Sequence, residues 1–362
     1  MKQLVTSGSV REVRTRLFID GDPFPGLISL DVTQNSHYQA DKYRCEVALN
    51  DPDGKDLVWW GADERKGMLL DLRVSVDGAE RSLILGEADE LSIRPATGAI
   101  EISGRDLTAR LIDNKIQQAF KNKTSSEIAI ELAARRGLTP IVDATATPVS
   151  RYYSNDHDQV SNDQFSRGST EWDLLTYLAQ QEGFDVFVVG TDLHFEKAVD
   201  PATAEPYSVK WDQTGRSGDV IDMHLERSLT LAKDVVVLVR SWHSGKGHAF
   251  TKSSPPGASK GAVNQGKAQR YVVTRPNLTE DQAQQLANNM REDITKHERR
   301  IEFHVPGEVT LSPRDIISLT GCGGWDQNYF VNTVDRRVSM DQGFTMTVTA
   351  KNKNVESQAA LA

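Results

Sequence analysis

Alternating apolar and polar positions dominate the first hundred residues. Residues 43–49 place an apolar side chain at every second position, which is typical of a half-buried strand. Asp77-Gly78 stands between two further alternating runs and is a two-residue hairpin signal. Several short strands at this spacing predict a small β barrel or sandwich, which we assign to residues 1–105.

The apolar period changes from two to about 3.6 residues in the middle of the chain. A capping box at Thr124 opens one helix, and Gly137 ends it. A later helix ends at Gly183, and a hairpin with its turn at Gly190 follows. We therefore predict an α+β region over residues 106–218.

The last third of the chain returns to strand patterns, and we predict a second β domain over 219–350. Residues 243–269 are rich in Gly, Ser, Lys and Pro and predict a long flexible loop inside that domain. Residues 279–300 predict one amphipathic helix that begins with a Thr279–Gln282 capping box. Residues 351–362 have the composition of a frayed tail.

The stretch ISGRDLTARLIDNKI lies where the first strand region meets the first helix pattern. We interpret its Gly-Arg-Asp as a structural corner. Gly104 would turn the chain after a strand, Asp106 would cap a helix over 107–116, and Arg105 would pair with a nearby carboxylate or carbonyl. No base, nucleophile or phosphate loop surrounds these residues, so we do not assign catalysis or anion binding to them.

Net charge sets limits on partners. The chain has 362 residues, 38% hydrophobic residues and a net charge of -9. Residues 141–222 hold 15 acidic and 5 basic side chains, a net of -10, so the rest carries +1. An acidic chain is poorly suited to tight nucleic-acid binding. We interpret the acidic block as a solvated surface or, alternatively, as a repulsive wall of a lumen through which DNA passes.

Two cysteines, Cys45 and Cys322, provide neither a disulfide framework nor a CxxC metal pair. The N-terminus lacks the apolar segment of a secretory signal, and no run approaches the length of a membrane helix. We expect synthesis in a reducing cytoplasm and no membrane insertion.

The sequence contains only incomplete phosphate-binding and metal-binding motifs. Gly261–Ala268 nearly matches the P-loop pattern, but Ala268 lacks the hydroxyl that magnesium needs, and the stretch precedes a strand. His243 and His248 share one loop without further ligands nearby in sequence. Asp51–Lys55 departs from the calcium-loop pattern and is typical of a turn.

Catalytic and carbohydrate-binding patterns are equally weak. No GxSxG sequence predicts a nucleophile elbow. The acidic pair Asp156 and Asp158 could suit a glycosidase, yet it lies in an acidic block that is typical of surface. Trp59-Trp60 could form a sugar platform, a protein contact or the edge of a core. We therefore predict no catalytic, cofactor-binding or metal-binding residues and no cofactor.

Four stretches in this order resemble the baseplate hub proteins of contractile phage tails, the late control D family, which is related to the base of the type VI secretion spike. The resemblance extends over most of residues 11–350. The stretches are ISGRDLTARLIDNKI, FKNKTSSEIAIELAARRGLTP, STEWDLLTYLAQQEGFDVFVVGTDLHFEK and SPRDIISLTGCGGWDQNYFVNTVDRRVSMDQGFTMTVTA.

The resemblance implies an α+β, mainly β fold in which α+β domains join two small β-barrel-like domains. It implies a homotrimeric ring of six similar barrels that connects the sixfold tail tube to the threefold central spike. Expected partners are the spike, tube or tube-initiator proteins, baseplate wedge proteins and the tape measure protein. DNA would pass without specific binding, and the protein would be made in the host cytoplasm and reside in the virion.

Two alternatives remain open at the level of sequence. One is the spike base of a secretion system or a tail-like device. The chain ends shortly after its last predicted strand without a needle-like repeat, which favours a separate spike protein. The other is a tail-associated cell-wall hydrolase, for which we find little room for an added domain.

Overall fold

The computed structural model shows a mainly β fold. It describes residues 2–4, 11–36, 38–49, 56–62, 67–116, 120, 123–146, 169–199, 204–212, 217–229, 235–242, 249–256, 269–275, 278–295 and 297–352. No helix in these ranges is long and apolar enough to cross a membrane.

The first β module contains seven antiparallel strands. They pair in the order β4-β5-β8-β7-β6-β2-β3. Their bounds are β2 (Val13–Ile19), β3 (Asp22–Phe24), β4 (Leu27–Asn35), β5 (Lys42–Ala48), β6 (Leu69–Val76), β7 (Ala79–Arg94) and β8 (Ala99–Asp106). The two-residue strand β1 (Lys2–Gln3) belongs to a later sheet, and the one-turn helix α1 (Leu57–Trp60) follows β5.

The alternation read from the sequence defines the core of this module. Tyr43, Cys45 and Val47 are buried on β5, whereas the residues between them lie outside the core. The predicted hairpin turn between β6 and β7 is confirmed. Asp77 and Gly78 have φ values of 51° and 86°, the left-handed pair that a two-residue turn needs.

The α+β module is built from two capped helices and a three-stranded sheet. Its elements are α2 (Ala109–Ile112), α3 (Ser125–Arg135), β9 (Thr139–Val142), α4 (Glu171–Glu182), β10 (Phe184–Val189) and β11 (Asp192–Lys197). The predicted capping box at Thr124 is confirmed, and Thr170 with Asp173 forms a second one before α4. Gly137 and Gly183 follow the two helices with positive φ, as predicted.

The helix predicted over 107–116 is wrong. Strand β8 continues through Asp106, and α2 is only one turn long. Asp106 does not cap α2, because its carboxylate accepts hydrogen bonds from the amide and hydroxyl of Thr108 instead. These local bonds compete with helix formation, which explains why a good cap residue begins no long helix here.

The second β module combines the chain start with distant strands. It contains β1, β12 (Tyr207–Asp212), β13 (Ser217–Gly218), β14 (Asp222–Arg227), β18 (Arg299–Pro306), β19 (Ile316–Thr320), β20 (Gln327–Ser339) and β21 (Gly343–Asn352). The central order is β12-β19-β20-β21-β18-β14. The side chains of Phe303, Tyr329 and Val348 lie fully buried in its core.

A small lobe interrupts this module and has its own core. Strands β15 (Val235–Trp242), β16 (Ala249–Ser254) and β17 (Gln269–Thr274) form its sheet, against which α5 (Glu280–Thr295) packs. The long loop predicted for 243–269 is wrong in part, because β16 lies inside it. Residues 243–248 and 257–268 lie outside the described residues. The predicted Thr279–Gln282 capping box is confirmed.

The two β modules share one sheet. Strand β20 pairs with β4 from Thr333 opposite Asn35 to Val338 opposite Leu30, so the hydrogen-bond ladder passes from one module into the other. Among the described strands, this sheet has free ends and does not close into a barrel. The modules are therefore fixed to each other by main-chain bonds.

Candidate functional site: the junction between the β modules

A buried arginine lies at the seam where β4 pairs with β20, on the side of β20 whose other residues are apolar. Its neighbours Val334 and Val338 face the cores, and Arg336 shares their side of the strand and is only 2% exposed. The Arg336 Nε donates to the Glu308 carbonyl at 2.7 Å, and its two Nη atoms donate to the Gln34 side chain and the Leu311 carbonyl. One guanidinium thus ties a loop of the second module to β4 of the first.

Burial of the Arg336 guanidinium costs free energy, because its charge loses contact with water. Desolvation lowers the pKa of Arg336 to about 10, with Glu308 and Asp41 acting in the opposite direction. The side chain therefore remains charged at neutral pH. Because the charge cannot reach water, its three hydrogen bonds are what make it tolerable inside the protein.

Arg314 forms a second buried contact across the junction. Its guanidinium lies 3.8 Å from the centre of the Phe187 ring on β10, and one Nη donates to the Asn35 carbonyl at 3.4 Å. Its φ of 79° is unusual for a residue with a side chain. Its Nε is buried without a hydrogen-bond partner among the described residues. Arg314 therefore contacts all three large modules from one strained position.

Two carboxylates face these arginines. The Asp41 carboxylate accepts a hydrogen bond from the Asn35 amide at 2.8 Å, and the Asp106 amide donates to the Asp41 carbonyl at 3.0 Å. Desolvation raises the pKa of Asp41 to about 6, although Arg314 and Arg336 act to lower it. Desolvation and then the Asp41 charge raise the pKa of Asp106 well above its usual range. The four charges line or flank a cavity of about 220 Å³ between the modules.

We expect the carboxylate pair to make folding stability fall as pH rises. Both pKa values are higher in the folded protein, so the native state binds protons more tightly than the unfolded chain does. Its stability should decline as pH rises from about 4 through about 6 and beyond. Asp106→Asn should flatten this slope in urea unfolding between pH 4.5 and 8. The exposed Asp22→Asn serves as the control, and an Asp106→Asn slope equal to that of the parent would contradict the prediction.

The Gly-Arg-Asp stretch is part of the same region, and its predicted Arg105 pairing is confirmed. Arg105 binds Asp89 through two hydrogen bonds of 2.7 Å and Asp113 through two of 3.0 Å. The bonds to Asp89 and Asp113 raise the pKa of Arg105. Gly104 does not turn the chain, because it lies inside β8 opposite Tyr43. The stretch fixes strands and makes no reactive site.

The outward side of the shared sheet is a polar groove of about 820 Å³. We call it the polar face. Its polar lining residues are Asp31, Thr33, Lys42, Arg44, Asp89, Glu90, Ser103, Arg105, His304, Asp335, Arg336, Arg337, Gln342, Thr345 and Thr347. Four of these residues are acidic and five are basic, so the two signs of charge nearly balance. Arg337 bonds to Asp31 at 2.5 Å and Thr33 bonds to Asp335 at 2.6 Å, both across the seam.

Most candidate chemistry from the sequence lies elsewhere. The residues outside the described ranges are His243, His248, Gly261–Ala268, Asp51–Lys55, Asp156 and Asp158. Trp60 lies in the first core and Trp59 packs against it, which confirms the core-edge interpretation. Cys45 and Cys322 are free and buried. Within the described residues, no group of three or more His, Cys, Asp or Glu side chains is placed to hold a metal ion.

Sequence reasoning missed the junction itself. Arg336 and Arg337 are adjacent in an alternating strand, so one of them had to fall on the core side. The alternation along this strand could therefore have predicted one buried arginine. Arg336 bonds to Glu308, which is 28 positions earlier, and to Gln34, which is 302 positions earlier. No local sequence pattern connects Gln34 to strand β20.

Three solved structures share the fold across nearly the whole chain. A tail protein from Neisseria meningitidis MC58 aligns with a TM-score of 0.70 and 17% identity, over 94% of this chain and 96% of that one. The 43 kDa tail protein of prophage MuSo2 from Shewanella oneidensis aligns with a TM-score of 0.66 and 16% identity, over 94% and 98%. This chain has the fold of phage tail proteins.

The third structure extends the likeness to secretion systems. It is an E. coli type VI secretion component described as similar to the T4 tail proteins gp27 and gp5. It aligns with a TM-score of 0.57 and 13% identity, over 94% of this chain and 77% of that one. No family model and no curated protein matches the sequence. The likeness of this chain to the two tail proteins and to the type VI component is therefore a likeness of fold.

Proposed function

We propose that this chain is the trimeric hub of a contractile phage tail baseplate, placed between the sixfold tail tube and the threefold central spike. The shared fold with tail proteins supports a structural role in a tail. The shared sheet supports the more specific assignment. A chain that holds two β modules rigidly side by side can present six similar units from three copies.

The single observation that carries this proposal is the polar face. It crosses the seam between the modules without interruption and is concave, as a wall of a channel should be. Its four acidic residues offset most of the charge of its five basic residues, and several are already paired, so it offers no concentrated positive field to DNA. We assign the lumen to this face and no longer to the acidic block, of which residues 147–168 lie outside the described residues.

The hub has protein partners and no chemistry of its own. The central spike, the tube or tube-initiator proteins, the wedge proteins and the tape measure protein would contact the ring in the virion. The buried Arg and Asp groups of the junction serve rigidity, because their hydrogen bonds connect modules and surround no reactive group. The protein is accordingly proposed to be non-enzymatic.

A secretion-system spike base is the second candidate. The observation in its favour is the fold shared with the E. coli type VI component. A Francisella PdpA–VgrG complex has a chain that aligns with a TM-score of 0.52 and 10% identity, over 94% of this chain and 58% of that one. The two candidates differ in the surrounding particle, a phage tail or a secretion apparatus, and share the ring and the spike.

Binding to spike and tube tests the hub assignment. Purified protein mixed with its candidate spike protein should elute as one complex on size-exclusion chromatography, and the tube protein should bind the opposite side of that complex. A spike and a tube protein that both elute unchanged would contradict the hub. Digestion of peptidoglycan by the purified chain in a zymogram would instead favour a hydrolase.

A further inference from the structure

One end of the shared sheet is strand β14, Asp222–Arg227. It pairs with β18 on one side, and no other described strand pairs with its opposite side. Met223 and Leu225 are partly buried against the second core, and Ile221 beside the strand is 62% exposed. An open row of main-chain groups with apolar side chains next to it is an incomplete sheet edge.

The other end is the second half of β7. Strand β6 pairs with β7 only as far as Glu87. After a bulge at Asp89, residues 90–94 pair with β8 alone. Leu91 and Ile93 in this free segment pack partly exposed against the first core. The segment is one residue shorter than β14 and has the same alternation, with apolar residues on the core side and polar residues on the opposite side.

The directions of the two edges fit each other. From β14 the path runs through β18, β21, β20, β4, β5 and β8 to β7, and every step along it is antiparallel. The path has an even number of strands, so its two ends run in opposite directions. When copies are arranged head to tail, β7 of one copy meets β14 of the next as an antiparallel pair.

We infer that β14 pairs with residues 90–94 of a second copy of this chain and thereby closes the ring as one continuous sheet. A full overlap that keeps both faces in phase has one register. It sets Asp222 opposite Arg94, Met223 opposite Ile93, His224 opposite Ser92, Leu225 opposite Leu91 and Glu226 opposite Glu90.

This register joins the two cores and extends the ionic network. The apolar pairs cover the side chains that each free edge leaves partly exposed. Asp222 would form a second ion pair with Arg94, which already bonds to Glu101 at 3.3 Å. Glu226 opposite Glu90 is the one like-charge pair in this register. The contact is heterologous, so it closes only when the rotation between copies allows it. The inference therefore rests on the proposed three-copy ring.

A cysteine cross-link tests the register. His224 and Ser92 are exposed, and opposite residues of an antiparallel pair have the Cα separation that a disulfide accepts. The double variant His224→Cys with Ser92→Cys, treated with a mild oxidant, should give covalent dimers and trimers on a non-reducing gel. The native Cys45 and Cys322 are buried, so each single variant should remain monomeric on that gel.

The control moves one cysteine a strand away from the edge. Ser103 lies on β8 opposite Glu90, so His224→Cys with Ser103→Cys should cross-link poorly. Equal cross-linking of this control would overturn the register, as would products that stop at the dimer. A trimeric mass without any cross-link in the test pair would overturn the edge pairing and leave the hub intact. A monomeric mass at every concentration without cross-links would overturn both.

Discussion

Arg336→Ala should lower the free energy of unfolding by about 3 to 5 kcal/mol, the usual effect of removing one member of a buried charged network. The change deletes the donors to the Glu308 carbonyl, the Gln34 side chain and the Leu311 carbonyl, all within the seam. It also leaves a space that water reaches poorly, because Arg336 is only 2% exposed. Urea unfolding followed by fluorescence measures the loss.

The neighbouring residue is the matched control. Arg337 has the same charge and lies on the same strand, but it is 60% exposed and, within the described part of the chain, forms its side-chain bond with Asp31. Arg337→Ala should cost no more than about 1 kcal/mol, as for other surface ion pairs. Equal losses for the two variants would show that the seam depends on charge alone. An unchanged midpoint for Arg336→Ala would contradict the role of the buried guanidinium.

Gly104→Ala should be nearly as damaging, at about 3 kcal/mol, because the new methyl group has no room. A Cβ at this position would lie 2.1 Å from the Glu87 carbonyl oxygen and 2.5 Å from the Tyr43 hydroxyl. The first of these neighbours is main chain, so the β7–β8 pair itself would have to move. Thermal and urea unfolding measure the loss.

Gly67→Ala is the control for glycine replacement in general. A Cβ at Gly67 meets no heavy atom within 4 Å, and its φ lies outside the left-handed region. It should change stability by less than about 1 kcal/mol. If Gly104→Ala were as mild as Gly67→Ala, the close approach of β7 to β8 would not be a requirement of the fold. The glycine would then be an incidental feature of the Gly-Arg-Asp stretch.

Local signals in the sequence predicted local structure well. The capping box at Thr124, the αL glycines after α3 and α4 and the Asp77-Gly78 turn each depend on residues within a few positions. Asp106 shows the limit of such signals. The same side chain suits a helix cap and a turn bond to Thr108, and the ladder of β8 with β5 and β7 decides between them.

The candidate site was beyond local reasoning for a related reason. The seam joins β4 to a strand about three hundred positions later, and this pairing determines that Arg336 and Arg314 meet Gln34 and Asn35. Sequence patterns showed two β regions but gave no register between them. Strand β16 was missed because its residues resemble the surrounding loop in composition.

The absolute mass of the purified protein in solution decides whether it forms the trimeric hub. Light scattering coupled to size exclusion measures this mass over a range of concentrations and salt. For a trimeric hub, we expect a species of about three times the 40.1 kDa chain mass, formed alone or on addition of the spike protein. A species of 40.1 kDa that persists at high concentration and ignores the spike would contradict the trimeric hub.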